Sequence, residues 1–294
     1  MLQGVLTALV TPFRDGEVDE KAYRHLLDGQ VRAGVAGVVV CGSTGEAATL
    51  ERDERTRLVE WALEACRESA TQVWVGTGTN CTRTTLELTR QAEEMGAAGA
   101  MVVAPYYNKP TQEGLYQHFR KVAEATRLPL LVYNVPGRTA VQVSAETVAR
   151  LHALGRYVAI KEASGSMDQV SDIRSRCDMT VLSGDDSLTL PMLALGARGV
   201  VSVVSNLLPA ETRRLVDAFL AGDTAGALRW HHRLLPFFRG AFLETNPSPI
   251  KMLLHLDGQM TPEVRLPLVP ASDSVRERLV SLLGAATWRG EAEG

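Results

Sequence analysis

Lys161 is the residue whose surroundings most directly suggest chemistry. It follows the apolar run 158–160 in the stretch VAIKEASGS. If that run is a buried strand, the ammonium group loses hydration and its pKa falls from about 10.4, which releases a neutral amine able to attack a carbonyl carbon. A structural alternative is a lysine paired with a carboxylate such as Glu162 or Asp185. The pattern around Lys161 does not by itself decide between the two.

Three tyrosines and one arginine lie close to two other apolar runs. Tyr106, Tyr107 and Tyr133 stand at or just beyond predicted strand ends, and Arg138 follows a Pro-Gly pair in the segment YNVPGRT. Phenols can relay the protons that imine chemistry moves, and a guanidinium can hold a carboxylate by two hydrogen bonds. Each tyrosine could also be an ordinary core or rim aromatic, and the arginine a solvated loop residue.

The segment GSTGEAATL, residues 42–50, has a structural and a functional interpretation. Ser43 and Glu46 fit the S-x-x-E capping box that begins a helix. A turn flanked by glycines at a strand end also exposes backbone N–H groups and the hydroxyls of Ser43 and Thr44, which suits a substrate carboxylate. The two interpretations are compatible.

Eight short runs rich in Val alternate with longer amphipathic stretches, which is the pattern of a parallel α/β fold. The predicted strands span residues 4–12, 37–42, 73–78, 100–105, 129–134, 157–163, 180–185 and 199–206. Eight such units at a spacing of roughly 30 residues predict a TIM (β/α)8 barrel over residues 1–222. An open doubly wound sheet is less favoured, because no GxGxxG follows the first strand.

Residues 223–294 predict a C-terminal α-helical extension. They contain three helical patterns, at 225–242, 248–258 and 271–285, and no further strand. The pattern leaves open whether Asn246, Pro247 and Lys251 face the barrel mouth or only pack.

The candidate residues collect at one end of the predicted barrel. The motifs GSTGE, GTGTN, PYYNKP, YNVPGRT, KEASG and SGDD all follow predicted strands. Barrel enzymes place their chemistry at this carboxyl end of the strands. The six histidines instead fall within predicted helices, which disfavours a metal site, and the loop after the eighth strand is not Gly-rich, which disfavours a phosphorylated substrate.

Composition excludes several classes of protein. The chain has 294 residues, 45% of them hydrophobic and 5% aromatic, a net charge of −3 and no basic run, which argues against nucleic-acid binding. Its N-terminus has no basic region before the first apolar run, and no run of about 18 apolar residues occurs, so we expect neither a signal peptide nor a membrane span. The four cysteines lack CxxC spacing, as expected of reduced thiols in a cytoplasm.

Six motifs in order resemble the dihydrodipicolinate synthase (4-hydroxy-tetrahydrodipicolinate synthase) family over about residues 4–270. They are GSTGE, GTGTN, PYYNKPTQEGLYQHF, YNVPGRT, IKEASG and LSGDD. The resemblance implies a class I (Schiff-base) lyase barrel that condenses pyruvate with L-aspartate 4-semialdehyde to 4-hydroxy-tetrahydrodipicolinate, in lysine and diaminopimelate biosynthesis. It further implies a cytoplasmic homotetramer, built as a dimer of dimers, that uses no cofactor and no metal.

The resemblance also implies a role for each catalytic residue. Lys161 would form the imine with pyruvate, and Tyr133 would donate and accept protons. Thr44 and Tyr107 would complete the proton relay, with Tyr107 reaching in from a neighbouring subunit. The amine chemistry inferred from the residues around Lys161 agrees with this assignment.

Substrate binding is implied for four residues. Ser43, Thr44 and the main chain of Val201 would hold pyruvate, and Arg138 would receive the carboxylate of the semialdehyde. Sister lyases that act on N-acetylneuraminate or 2-keto-3-deoxy acids resemble the chain at GSTGE and around Lys161, but they generally lack the arginine of NVPGRT. Such a lyase is the alternative function. A further alternative is a barrel that only binds a keto acid, which would predict damage to the relay or lysine positions, and none is visible in the sequence.

The chain departs from the family at two places. Ser43 stands where the family usually has Thr, which keeps the hydroxyl. Some members of the family have a lysine feedback site, and this chain keeps two of its residues, Asn80 and Tyr106. At four other positions of that site regulated members often have Ser, two His and Glu, whereas this chain has Ala47, Arg52, Arg55 and Thr84. Two cations and no carboxylate would repel the ammonium end of lysine, so we expect weak or absent lysine inhibition.

Overall fold

A computed structural model describes residues 2–286 of the chain. The strands are β1 (Gly4–Ala8), β2 (Phe13–Arg14), β3 (Glu17–Val18), β4 (Gly37–Val40), β5 (Gln72–Gly76), β6 (Gly99–Val103), β7 (Leu130–Asn134), β8 (Tyr157–Glu162), β9 (Thr180–Ser183) and β10 (Gly199–Ser202). The helices are α1 (Glu20–Ala33), α2 (Arg52–Cys66), α3 (Thr82–Glu94), α4 (Gln112–Glu124), α5 (Pro136–Thr139), α6 (Ala145–His152), α7 (Met167–Arg176), α8 (Thr189–Ala194), α9 (Pro209–Leu220), α10 (Thr224–Gly240), α11 (Ser248–Leu256) and α12 (Asp273–Ala285).

Eight parallel strands close into a barrel, which confirms the predicted (β/α)8 fold. The order around the barrel is β1, β4, β5, β6, β7, β8, β9, β10 and back to β1, while β2 and β3 form a separate short hairpin. All eight predicted strands are present. Seven of them end before their predicted last residue, because the residues there leave the hydrogen-bonded ladder and enter the loops at the mouth, whereas β7 ends at Asn134 as predicted.

Alternation along each strand divides the core into two layers. Successive side chains of a strand point to opposite faces. In β8, Ala159 and Lys161 point into the barrel, whereas Ile160 packs outward against the helices; in β7, Leu131 and Tyr133 point inward. The period of two therefore places the lysine and the tyrosine inside the barrel, at its carboxyl end.

The predicted helical extension is confirmed over the described residues. Helices α10, α11 and α12 follow the barrel, with α10 packed along α9 and α12 against α10 and α11. The division into 1–222 and 223–294 stays a prediction, and residues 287–294 lie outside the described part of the chain. No helix between residues 2 and 286 combines the length and apolarity needed to cross a membrane.

The predicted capping box at Ser43 and Glu46 is wrong. Residues 43–49 form turns, and Glu46 has a φ of 54°, which a residue in the first turn of a right-handed helix cannot adopt. The next helix begins at Arg52. Its capping box is formed by Glu51 and Glu54, with Glu54 Oε2 accepting from the Glu51 N–H at 2.9 Å.

Candidate active site

Lys161 and Tyr133 lie side by side in the barrel. The register of β7 and β8 pairs the two residues directly, and the Lys161 Nζ lies 4.4 Å from the centroid of the Tyr133 ring. Both side chains are buried. An amine and a phenol are therefore in contact inside the barrel.

Burial lowers the pKa of Lys161 to about 8. Loss of hydration is the largest cause, and the guanidinium of Arg138 lowers the pKa further, against opposing effects of the carboxylates of Asp186 and Asp185. Among residues 2–286 no carboxylate oxygen lies within ion-pair distance of the Lys161 Nζ. A substantial fraction of the amine is consequently neutral near pH 7.5, which is the form that attacks carbonyls.

The alternative of a lysine paired with a neighbouring carboxylate does not describe this site. Glu162 follows Lys161 and points to the opposite face of β8. Its carboxylate accepts from Asn134 Nδ2 at 2.9 Å and from the Ser164 N–H at 2.7 Å. Asp185 Oδ1 accepts from the hydroxyl of Ser187 at 3.1 Å. Both carboxylates are thus engaged by other donors.

Tyr133 keeps its proton at neutral pH. Burial raises the pKa of this phenol to about 12, with a smaller raising effect from Asp185 and a lowering effect from Arg138. The hydroxyl is then a donor that can lend its proton to a substrate oxygen and take one back. This is the behaviour that a proton relay requires.

Asn246 connects Thr44 to Arg138. The buried Thr44 Oγ1 accepts from Asn246 Nδ2 at 2.9 Å, which leaves the threonine proton available to another acceptor. Arg138, on the short helix α5, donates through Nη2 to the main-chain oxygen of Asn246 at 3.1 Å. Asn246 therefore faces the barrel mouth, which the sequence had left open.

These side chains border one cavity at the carboxyl end of the barrel. Its volume is ≈ 450 Å³, within the usual range for small-molecule sites. Its polar lining is Thr44, Tyr133, Arg138, Lys161, Asp185, Ser187, Arg239 and Asn246. Residues 2–286 contain no group of three or more His, Cys, Asp or Glu side chains that could hold a metal ion.

Three of the predicted site residues do not border this cavity. Ser43 is exposed and lines a neighbouring cavity of ≈ 420 Å³. Val201 is fully buried inside the barrel, and Val203, two residues later, meets the cavity instead. Tyr107 is 87% exposed, has a φ of 75° and lines neither of these two cavities.

The neighbouring cavity also bears on the expected response to lysine. Arg55 lines it together with Ala47 and Tyr106, and its Nη2 donates to the main-chain oxygen of Gly76 at 2.7 Å. A guanidinium thus borders this space, as the sequence-based expectation assumed. Weak or absent lysine inhibition stays a prediction.

Sequence reasoning missed the part played by Asp186. This buried carboxylate accepts from the N–H groups of Val203 and Val204 at 2.9 and 3.2 Å, and its charge raises the pKa of Lys161. The motif SGDD marked a polar strand end. The motif does not specify which of its two aspartates becomes buried, because this depends on the 3-10 turn that begins at Asp186.

The arrangement can carry out imine chemistry on a small keto acid. A partly neutral lysine supplies the nucleophile, a protonated phenol beside it moves protons, and a threonine hydroxyl and an arginine at the mouth can bind oxygen atoms of a ligand. The cavity has room for two small molecules, which a condensation needs.

Comparisons with known proteins agree with this geometry. The model of the Dihydrodipicolinate synthetase family matches residues 1–286. The 4-hydroxy-tetrahydrodipicolinate synthase of Syntrophus aciditrophicus is 48% identical over 281 residues, which are 95% of this chain and 96% of that one.

Solved structures give the same result. Dihydrodipicolinate synthase from Thermotoga maritima superposes with a TM-score of 0.95 at 45% identity, covering 97% of this chain and 99% of that one. A structure described as the first monomeric dihydrodipicolinate synthase variant has the same TM-score and identity, with 97% and 96% covered. On the match along nearly its whole length, the chain belongs to the dihydrodipicolinate synthetase family.

Proposed function

We propose that this chain condenses pyruvate with L-aspartate 4-semialdehyde to give 4-hydroxy-tetrahydrodipicolinate, by way of an imine on Lys161. The activity is the one that relatives with 48% identity are named for, and it belongs to lysine and diaminopimelate biosynthesis. The observation that carries the proposal is a buried lysine with a lowered pKa in contact with a protonated tyrosine.

The reaction begins when the neutral Lys161 amine adds to the keto carbon of pyruvate. Loss of water leaves an iminium, whose positive charge makes the neighbouring methyl group acidic enough to lose a proton and form an enamine. The enamine carbon then attacks the aldehyde carbon. Finally the amino group of the bound semialdehyde attacks the imine carbon, closes the ring and releases the lysine, so that no step calls for a metal or a redox cofactor.

Tyr133 and Thr44 move the protons of these steps. The phenol donates to the oxygen that leaves as water and takes up a proton again at a later step. Thr44 can pass protons to Tyr133, because its Oγ1 already accepts from Asn246 and its own proton is available. For the carboxylate of pyruvate we keep the holders that the family resemblance implies, namely Ser43, Thr44 and the main chain of Val201; of these, Thr44 borders the cavity.

Tyr107 completes the relay from a neighbouring subunit of a homotetramer. Its exposure of 87% and its absence from the lining of the cavity in its own chain support this assignment. We expect co-expression of Lys161→Met chains with Tyr107→Phe chains to recover activity in about a quarter of the sites, since a mixed dimer has one site with both residues intact. No recovery above the two separate variants would contradict the assignment.

Arg138 binds the carboxylate of the semialdehyde. We expect Arg138→Ala to lower kcat/KM for the semialdehyde by roughly 10- to 100-fold, because a charge-assisted bidentate contact is lost. The KM for pyruvate should change by less than about threefold, since pyruvate is held elsewhere. Steady-state kinetics with each substrate varied in turn measures both, with Arg138→Lys as the variant that keeps the charge. Equal losses for the two substrates would refute the role.

The assignment of the acceptor is tested by a coupled assay. The purified protein is given pyruvate and aspartate 4-semialdehyde, and the next reductase reports the product through nicotinamide absorbance. N-acetylneuraminate and a 2-keto-3-deoxy acid are tested in parallel as substrates of sister lyases. Turnover of the semialdehyde alone supports the proposal. Pyruvate trapping by borohydride without such turnover would keep the imine but move the chain to a sister lyase.

A cytoplasmic location is part of the same proposal, since both substrates are central metabolites.

A further inference from the structure

A buried ion pair lies under the turn that carries Thr44. Glu46, two residues after Thr44, accepts through Oε1 from the Nζ of Lys251 on α11. The side chains of Glu46 and Lys251 are 1% and 0% exposed. No part of the reaction proposed above uses either residue.

Both members of the pair make further contacts. The Lys251 Nζ donates to the main-chain oxygen of Glu263 at 2.8 Å and lies 4.3 Å from the centroid of the Phe13 ring. The second oxygen of Glu46 accepts from the Arg265 N–H at 2.9 Å. The ammonium and the carboxylate are therefore both held in one position by several contacts.

Arg265 ties the same cluster to the start of α2. Its guanidinium donates to Glu54 Oε2 at 2.6 Å and to the main-chain oxygen of Thr49 at 3.1 Å. Its centre also lies 4.3 Å from the Phe13 ring. The end of the turn near residue 49 is thus attached to the loop that follows α11.

The backbone of the turn needs such support. Glu46 has a φ of 54°, a conformation that a residue with a side chain adopts at an energetic cost and that persists where surrounding contacts impose it. Within the turn, the Glu46 N–H donates to the Ser43 oxygen at 3.1 Å, and the Thr11 hydroxyl donates to the Gly45 oxygen at 2.8 Å. The contact with Lys251 holds the side chain of the strained residue.

The segment around the start of α11 therefore forms hydrogen bonds with the turn that carries Thr44 at two positions. Asn246 donates to the hydroxyl of Thr44, and Lys251 donates to the carboxylate of Glu46. These two donors are five residues apart in sequence, and their acceptors are two residues apart. We propose that Glu46 and Lys251 are positioning residues for the condensation, whose ion pair sets the Thr44 hydroxyl in place beside Tyr133. This inference rests on the proposed function.

A stabilising role alone accounts poorly for the pair. Taking two charges out of water costs free energy, and well-packed apolar residues of similar size often serve stability as well or better. What an apolar pair cannot supply is a directed contact that selects one conformation of the turn. We therefore expect removal of the ion pair to lower kcat more than it lowers the stability of the fold.

The experiment compares Glu46→Gln/Lys251→Met with the wild-type enzyme. The double variant removes both charges and preserves side-chain size, so that no unpaired charge is left buried. We expect a melting temperature near that of wild type, unchanged trapping of pyruvate by borohydride, and a kcat lower by about 10- to 100-fold. Asp217→Asn, which removes one charge of an exposed ion pair on α9, is the control and should leave kcat unchanged.

A double-mutant cycle with Thr44→Val separates positioning from a structural effect. If the ion pair acts through the Thr44 hydroxyl, removing the ion pair from the Thr44→Val variant should lower kcat by less than about threefold. Wild-type kcat in the double variant, or an equal loss of kcat in both backgrounds, would overturn the proposal. Should the double variant fail to fold, Glu46→Asp, which keeps the charge and shortens the side chain, carries the same cycle. The kcat ratios can be measured with whichever aldehyde the enzyme accepts. A failure of the proposed substrate would appear in the coupled assay, separately from a failure of this positioning role.

Discussion

Replacing Lys161 with Met is expected to lower turnover by about 10⁴- to 10⁶-fold, the scale of loss seen when a covalent nucleophile is removed. Without the amine no imine forms, and the methyl group of pyruvate stays too weakly acidic to yield an enamine. The coupled assay measures the loss, and mass spectrometry after borohydride reduction should find pyruvate on the peptide that contains Lys161 in the wild type alone. Trapping of pyruvate at the same level in Lys161→Met would refute the role of this lysine.

The loss should come without unfolding. Below about pH 8 the wild-type protein bears the cost of a buried ammonium, because the folded-state pKa lies below the unfolded value, and this cost disappears as the pH rises from about 8 towards 10.5. Met has no charge to bury. We therefore expect Lys161→Met to melt at or above the wild-type temperature at pH 7.

The same shift fixes the pH dependence of imine formation in the wild-type enzyme. Since only the neutral amine reacts, the trapping rate should rise about tenfold per pH unit below pH 8 and level off above it. A lysine with the ordinary pKa of 10.5 would keep gaining rate to a much higher pH. A rate that still rises beyond about pH 9.5 would contradict the lowered pKa.

Tyr133→Phe is the substitution with the second largest expected effect. We expect kcat to fall by about 10²- to 10⁴-fold, the usual contribution of a positioned acid or base. The ring still packs beside Lys161, so the lysine stays buried and its pKa stays low. Pyruvate should therefore still be trapped by borohydride, more slowly, which distinguishes a missing proton relay from a missing nucleophile.

Tyr157 offers a matched control for this variant. It is a buried tyrosine on the adjacent strand β8, and its hydroxyl donates to the main-chain oxygen of Phe119 at 2.8 Å, on the outer side of the barrel. We expect Tyr157→Phe to cost about 1 kcal/mol of unfolding free energy and to leave kcat unchanged. A comparable fall of kcat in both variants would contradict a specific role for the Tyr133 hydroxyl.

Much of this protein is determined by local patterns in its sequence. The eight strands were predictable because each is a short apolar run bounded by turn residues, and their number and spacing favoured a closed barrel. The direction of Lys161 follows from the period of two along a strand. The family motifs pointed to the same lysine and to Tyr133, and the cavity at the barrel mouth brings the two together with Thr44 and Arg138.

The tertiary structure decided the contacts between distant segments. The register of β7 and β8 sets Lys161 against Tyr133, whereas the alternation along either strand gives only the face of each side chain and not its partner on the next strand. Asn246 reaches Thr44 across 202 residues of sequence. Glu46 matched a helix cap by spacing, yet its carboxylate is held by Lys251, 205 residues away, and its backbone has a φ of 54°. Local propensities are weak and a buried charge requires a partner, so the spacing of nearby residues could not show that Glu46 pairs with a lysine so distant in sequence.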